Sequence, residues 1–496
     1  MERWRYRARW DSTVGAGMHD EILRRVVAVN VGLGAFAEAV RAQGAEAADV
    51  DWRPPAGGDP AALATLQRLW GRHGPHVAAA NREVVERLES VAPLAVGVAA
   101  AHEVIGVLAE RALLHAGPPI DWARMCDPQR RAVVAACLFE GWARTRAQAA
   151  ALLEQGEIAL HPGNEHGHVG PMTGVCSPSM PVWVVEDEGS GARAYSTFNE
   201  GPGNTLWFGV GDDESIERLR FIRDELGPAM AWLLGREGPI DVLSLAAQGL
   251  HMGDELHMRS QATGALLLRR LAPGLAALGA EEVARFVAGN HHFFLNLTMA
   301  AAKCASSAAT GVTGSSIVTL ISRNGTDAGI QLAGLPGQWF VAPAAPVQDA
   351  LLQEGRRPED AAADIGDSAV IECVGLGGMA LAASPAVASF FGGSAAEAVE
   401  RTWRMEQITA ARSRRFTIPA LDYAGTPVGI DARLAVELSI TPQITTGVLD
   451  GSGGAGQIGA GVAHQPLEPF RAAIGALAAQ LDAGPAPATA GEGLAR

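Results

Sequence analysis

The sequence predicts a mixed α+β fold arranged in several lobes. Three observations carry that expectation. The first residues read as strand, turn, helix, strand. Residues 60–155 and 214–309 hold long stretches with helical spacing. Short β-branched runs broken by glycine turns fill residues 157–210, and strands, helices and glycine loops mix after residue 311.

In order, Val26–Val31 is a short apolar run and Gly32 and Gly34 permit a tight turn. Ala35–Gln43 has helical spacing, Gly44 suits the position just past a helix end, and Ala47–Trp52 returns as a strand. The unit is βαβ-like, which favours parallel pairing. Its "NVGLGAF" lacks the full dinucleotide fingerprint. Asp127-Pro128 places a cap and a first-turn proline before one long amphipathic helix through "QRRAVVAACLFEGWARTRAQAAALLEQG". "IALHP", "PVWVVED", "ARAYSTF" and "TLWFGV" read as strands. A helix is expected from near Glu281 through "GNHHFFLNLTMAAAK". These segments group into a flexible N-terminus at 1–21 and an α/β and helical lobe at 22–155. A central α+β lobe at 156–335, a C-terminal α+β lobe at 336–475 and a flexible tail at 476–496 follow.

Composition narrows the function. Hydrophobic residues make up 48% of 496, enough for packed cores. The apolar stretch "VAPLAVGVAAAHEVIGVLAERALL" is broken by Pro93, His102 and Glu103. It falls short of a clean span of about 20 residues, so no membrane segment is expected. The start lacks a signal-peptide core, which predicts a cytoplasmic protein. A net charge of −15 disfavours nucleic acid as a partner. Five scattered cysteines without a CxxC fit reduced thiols better than a zinc site.

The candidate chemistry sits in six stretches. "HPGNEHGHVG" holds His161, Glu165, His166, His168 and Gly170. If its end is extended, His166 and His168 share a face, able to bind a metal, hold an anion or simply bond the backbone. "FNEGPGN" places Asn199 and Glu200 beside glycines whose amides can approach a ligand, or forms a hairpin loop. "HMGDELHMR" gathers five ionisable groups within nine residues, His251, Asp254, Glu255, His257 and Arg259, of which the two acids also suit a solvated helix start. "GNHHFFLNLTMAAAK" sets His292, Asn296 and Lys303 on one stripe of a buried helix, with Asn290 and His291 alongside. "RNGT" joins Arg323, Asn324, Gly325 and Thr326 in a turn, with a guanidinium fork suited to carboxylate or phosphate. The glycine loops "VGLGGMA" and "TTGVLDGSGGAGQIGAGVA" can cradle anions but lack the P-loop ending. Few acids and many His, Asn and Arg residues fit a small anionic substrate bearing carbonyls, held by donors aimed at developing oxyanion charge.

Those stretches, with "NVGLGAFAEAVRAQGAEAADVDWRPPAGGD" and "HVGPMTGVCSPSMPVWVVED", resemble the AllG (YlbE/YahG-like) family in order over residues 22–470. The resemblance implies an α+β subunit of an oxamate carbamoyltransferase that works with AllF (FdrA-like) and AllH subunits in anaerobic allantoin breakdown. That enzyme interconverts oxalurate and phosphate with oxamate and carbamoyl phosphate, which can then feed a kinase. No cofactor is implied, and the family's catalytic residues are not carried over. Cys176 stands where many relatives have another residue, which makes it a poor nucleophile.

The expected function is therefore carbamoyl transfer, by this chain or a homo- or hetero-oligomer containing it. The expected catalytic histidines are His166, His168, His257 and His292, with His166 or His168 shuttling the proton. Arg323, Arg259 and the loops at 163–174 and 323–326 would hold phosphate. His251, His257, His292 and Asn296 would hold substrate carbonyls. Two alternatives stand beside it. One is a metal-dependent amide or ureide hydrolase using His161, His166 and His168. The other is a non-catalytic ligand-binding subunit of an FdrA-like complex.

Overall fold

The computed structural model describes residues 27–31, 33–50, 53–390 and 392–484. The readings of residues 1–21, of Val26, Gly32 and Trp52, and of the tail beyond Gly484 lie outside them. The chain divides into two compact units, Met1–Gly58 and Asp59–Arg496.

The first unit has the expected βαβ order. Strands Val27–Val31 and Glu46–Val50 pair in parallel, and helix Gly34–Ala42 connects them. Gly44 leaves the helix with φ of +81°, where glycine has no Cβ penalty.

The second unit is built on small antiparallel sheets and a parallel pair, Ala112–His115 with Ala159–Pro162. Helix Pro60–Trp70 opens it, with Asp59 accepting from the amides of Ala61 and Ala62. One four-stranded sheet has the order Ala192–Thr197, Pro181–Asp187, Leu94–Ala100, Ile240–Asp241. Another runs Leu335–Pro343, Asp327–Leu332, Val318–Asn324, Ile365–Gly366. A three-stranded sheet joins Gln348–Leu352, Gln457–His464 and Gln443–Leu449. Helix Leu295–Ala308 packs on strands Pro181–Asp187 and Ala192–Thr197, and also on helix Val370–Cys373 and strand Val318–Asn324. It thus lies between the first two sheets. Trp183, Phe293, Phe294 and Phe416 are fully buried in the core around it. Burying each such aromatic stabilises the fold by roughly 1.5–3 kcal/mol.

The structure departs from the predicted elements where tertiary contacts override local pattern. Residues 60–155 are not all helical. Leu94–Ala100 and Ala112–His115 are strands, because a short apolar run fits a buried strand as well as a buried helix. The helix expected from Asp127 stops at Phe139, and a second one, Arg146–Glu154, begins after a Thr145 cap. Its first cap is Cys126, one residue earlier than expected. "TLWFGV" is a run of turns, not a strand. The buried Glu200 carboxylate there draws in the amides of Leu206 (2.7 Å) and Trp207 (3.1 Å), bending the chain. The helix from Glu281 ends at Gly289 and restarts at Leu295, so His292 is not on the stripe of Asn296 and Lys303. The glycine-rich stretch after Thr445 is mostly a strand pair, Gln443–Leu449 with Gln457–His464.

Candidate active site

The segment Gly253–Ser260 follows helix Val242–His251 and is tied to its own acids. Buried Asp254 accepts from the Thr263 amide and hydroxyl, both at 2.8 Å, and from Arg259 Nη1 at 3.2 Å. Buried Glu255 accepts from the amides of His257 (3.2 Å) and Arg259 (2.7 Å) and from Thr445 Oγ1 (3.0 Å). Leu256 between them sits at φ of +75°, a strained conformation for a residue with a Cβ. This cinched loop turns His257 inward. His257 Nδ1 donates to Glu372 Oε1 at 2.8 Å, and both side chains are buried. A carboxylate can only accept, so it fixes the proton on Nδ1 and leaves Nε2 as the reactive nitrogen. Glu372 Oε1 also accepts from the Gly378 amide at 3.0 Å. One amide of the "VGLGGMA" loop thus serves the protein's own Glu372, where successive amides around a ligand anion were expected. Burial and the neighbouring Glu372 charge help push the Glu255 carboxyl up to about 7.

His257 and His292 line one small inner cavity of about 30 Å³, with Trp207, Phe208, Ser368 and Gln457 among its walls. Trp207 and Phe208 stack with centroids 4.1 Å apart. An outer cleft of about 440 Å³ shares Trp207, Phe208, His292 and Gln457 with that cavity and is edged by Asn290 and His291. His292 therefore faces both spaces. Its Nδ1 is buried without a partner, and burial, with His291 and His257 nearby, draws its pKa down to about 4.

A polar seam runs deeper from Ser368. Burial pushes the Asp367 carboxyl up to about 6, although its Oδ1 accepts from the Gly117 amide (3.0 Å) and from Ser322 Oγ. Lys303 lies within electrostatic range of Asp367 and Cys373, and burial draws its ammonium down to about 8. Asn164 Nδ2 reaches Ser322 Oγ at 3.4 Å. His168, whose amide donates to Gly163 O at 3.0 Å, is fully buried, and burial brings its pKa down to about 3. Both ring nitrogens of His168, Oδ1 of Asn164, Oδ2 of Asp367, Oε2 of Glu372 and Nε2 of His115 are buried and have no protein partner. Buried polar atoms without protein partners mark places that take ligand or ordered water.

The structure therefore brings His257, His292, Lys303 and the neighbourhood of His168 to one interior region. Other predicted residues have structural duties. His166 and His168 do not share a face, because Gly167 between them takes φ of +73°. His166 is half-buried and packs edge-on to His161 at 5.4 Å; burial and His161 lower its pKa. Gly170 accepts from the Asp367 amide and has no room for a Cβ beside Gly174. Asn199, Asn290 and Asn296 bond one another's side chains or backbone, and Asn296 Nδ2 also reaches Thr197 O at 2.7 Å. Glu200 holds the Leu206–Trp207 turn, and burial raises it to about 7. His251 is exposed and bonds Thr417 at 2.9 Å. The Arg323 fork is spent inside the fold: Nε and Nη2 hold Asp364 (2.7 and 3.1 Å), and Nη1 donates to Gly366 O. Asn324 accepts from the amides of Thr326 and Asp327, Gly325 turns at φ of +77°, and Thr326 Oγ1 donates to Arg124 O, which together shape the hairpin. Cys176 is fully buried, and burial pushes its thiol far up.

Sequence reasoning missed Glu372, Asp367 and Asn164, and it took Glu255, which is buried, for an acid of a solvated helix start. Glu372 left a usable signal: it is a lone carboxylate inside the apolar run "AVIECVGLGG". Among the described residues, no group of three or more His, Cys, Asp or Glu is placed to hold a metal ion. No described helix is long and apolar enough to cross a membrane.

A multi-sheet α+β chain with a buried His–Glu pair at an internal cavity defines the class. Residues 158–368 match the family described as Oxamate carbamoyltransferase subunit AllG. The chain is 43% identical over 416 residues to the Oxamate carbamoyltransferase subunit AllG of Escherichia coli (strain K12), covering 82% of this chain and 99% of that one. It is 37% identical over 452 residues to the uncharacterized protein YahG of the same strain, covering 90% and 96%. A crystal structure of a conserved protein of unknown function from Enterococcus faecalis V583 superposes with a TM-score of 0.80 at 37% identity, covering 82% and 98%. The chain belongs to the AllG family.

Proposed function

We propose that this chain is the subunit of a carbamoyltransferase in which the transfer takes place. The substrates are a ureido acid such as oxalurate and phosphate; the products are oxamate and carbamoyl phosphate, in purine-derived nitrogen catabolism in the cytoplasm. The observation that supports this most is the His257–Glu372 pair at the cavity wall. A phosphate oxygen adds to the terminal carbamoyl carbon. The bond from that carbon to the ureido nitrogen breaks. The proton leaving hydrogen phosphate reaches that nitrogen through His257 Nε2, and Glu372 steadies the imidazolium that forms in between. The outer cleft is large enough for the ureido acid, while the inner cavity is about the size of one water. Movement of the Trp207–Phe208 wall would join the two and bring substrate from His292 to His257. His292, neutral above about pH 4, offers a carbonyl-binding ring there. Small anionic substrates and AllF/FdrA-like and AllH-like subunits are the partners.

The test is phosphate-dependent formation of carbamoyl phosphate from a panel of ureido acids, by the chain alone and with those subunits. Formation with oxalurate, lost in His257→Gln, is expected. An assembled complex in which His257→Gln turns over like the native chain would remove the chemistry from this subunit.

A further inference from the structure

A second cleft, of about 550 Å³, lies outside the region just described. Arg130 and Arg131 of helix Asp127–Phe139 and Arg146 of the next helix all line it, with Trp122. The chain as a whole carries 54 acidic residues against 39 basic ones, so three guanidiniums on one cleft run against its general charge.

Their pairing leaves Arg130 as the guanidinium without a counterion among the described residues. Arg131 is neutralised: its Nε holds Asp127 at 2.6 Å and its Nη2 reaches Ser452 O at 3.2 Å. Arg146 donates to Gly211 O and stands 3.9 Å from Asp213, whose side chain is exposed. Arg130 has no carboxylate partner among the described residues. Its guanidinium lies 5.2 Å from the Trp122 ring centroid, Nη2 donates to Ala123 O, and its Nε is buried without an acceptor. Asp212, which also lines the cleft, accepts from the Ser215 amide (2.9 Å) and hydroxyl and from Asn204 Nδ2 (2.8 Å), neutral donors that hold the carboxylate in place and leave its charge. The guanidiniums of Arg130 and Arg146 line the cleft, where a phosphate oxygen can accept charge-assisted bonds from them.

We propose that this cleft is an oxyanion site for a small phosphate-bearing ligand, inorganic phosphate or an acyl phosphate. The cleft exceeds a bare phosphate and admits an acyl group with it. Asn204 lines both this cleft and the outer cleft of the ureido site, and Gly454 and Ala455 line one each. The anion would sit one loop away from that site. The binding claim stands on the arginine cleft alone; a part in transfer rests on the carbamoyl-transfer reading.

Isothermal titration of the full chain with inorganic phosphate, and separately with acetyl phosphate, tests it. Saturable binding is expected. Arg130→Gln and Arg146→Gln should each weaken it by about tenfold or more, the loss of one charge-assisted contact. Arg146 is exposed, so its variant keeps the test open if Arg130→Gln misfolds. The arginine-dependent binding should persist in His257→Gln, which separates this site from the transfer site. Tighter binding of acetyl phosphate would identify an acyl phosphate as the ligand; tighter binding of phosphate would identify the inorganic ion. No saturable binding to the native chain, or native affinity in folded Arg146→Gln and Arg130→Gln, would overturn the proposal. Failure of the transfer reading has its own signature, absence of carbamoyl phosphate in the turnover assay.

Discussion

Replacing Glu372 with Gln removes a charge and little else. Glu372 is fully buried, and its Oε1 accepts from both His257 Nδ1 at 2.8 Å and Gly378 N at 3.0 Å. Glutamine has nearly the same volume and still offers one carbonyl oxygen to both donors, so the fold should persist. What is lost is the charge assistance on the His257 bond. Charged hydrogen bonds contribute about 1.5–3 kcal/mol against about 0.5–1.5 for neutral ones, so the difference is about 1–2 kcal/mol. At 1.4 kcal/mol per tenfold, that is roughly a five- to thirtyfold loss. Because the imidazolium forms only on the way to the transition state, the loss should fall on kcat with KM unchanged. Glu372→Ala also leaves His257 Nδ1 buried without an acceptor, a further cost of about 1–3 kcal/mol. The assay is phosphate-dependent carbamoyl phosphate formation from oxalurate by the assembled complex. Full kcat in Glu372→Gln, or a loss confined to KM, would refute a positioning role for this carboxylate.

Arg323→Met should destabilise the chain by about 3–5 kcal/mol in denaturant unfolding, because it strands the buried Asp364 carboxylate; the double variant with Asp364→Leu should recover most of that. His168→Ala should lower stability by about 2–4 kcal/mol, since the ring is fully packed and its removal leaves a hole; an unchanged melting temperature would contradict that packing. Burial holds the Lys303 ammonium down to about 8 in the fold, against an ordinary lysine value of 10.5. Between those values the unfolded chain binds the extra proton, so native stability should rise with pH from about 8 to 10.5. Lys303→Met should lack that rise and melt higher at neutral pH. His251→Ala should stay within about 0.5 kcal/mol of native stability and keep its turnover, because the ring sits on the surface against Thr417.

Local order was legible where its cause is local. The parallel strand–helix–strand start, the strands "PVWVVED" and Ala192–Thr197, the Asn324–Gly325 turn and the Gly44 helix end all follow from periodicity or from a residue's own backbone preference. The family resemblance was likewise carried by contiguous motifs. His257 and His292 could be picked out because histidines are rare in apolar surroundings. Their partners could not. Glu372 stands 115 residues from His257, and Asp364 stands 41 residues from Arg323. A sequence states that a guanidinium or a carboxylate must find a counterpart when buried; it does not state which one, since pairing depends on how separate sheets and the central helix pack. The same packing decided that Arg323 serves the fold, that His166 and His168 part company at Gly167, and that Glu200 bends "TLWFGV" out of a strand. Residue chemistry and short-range backbone preference were thus set along the chain, whereas the assignment of each charged group to structure or to the cavity arose only when distant segments closed around helix Leu295–Ala308.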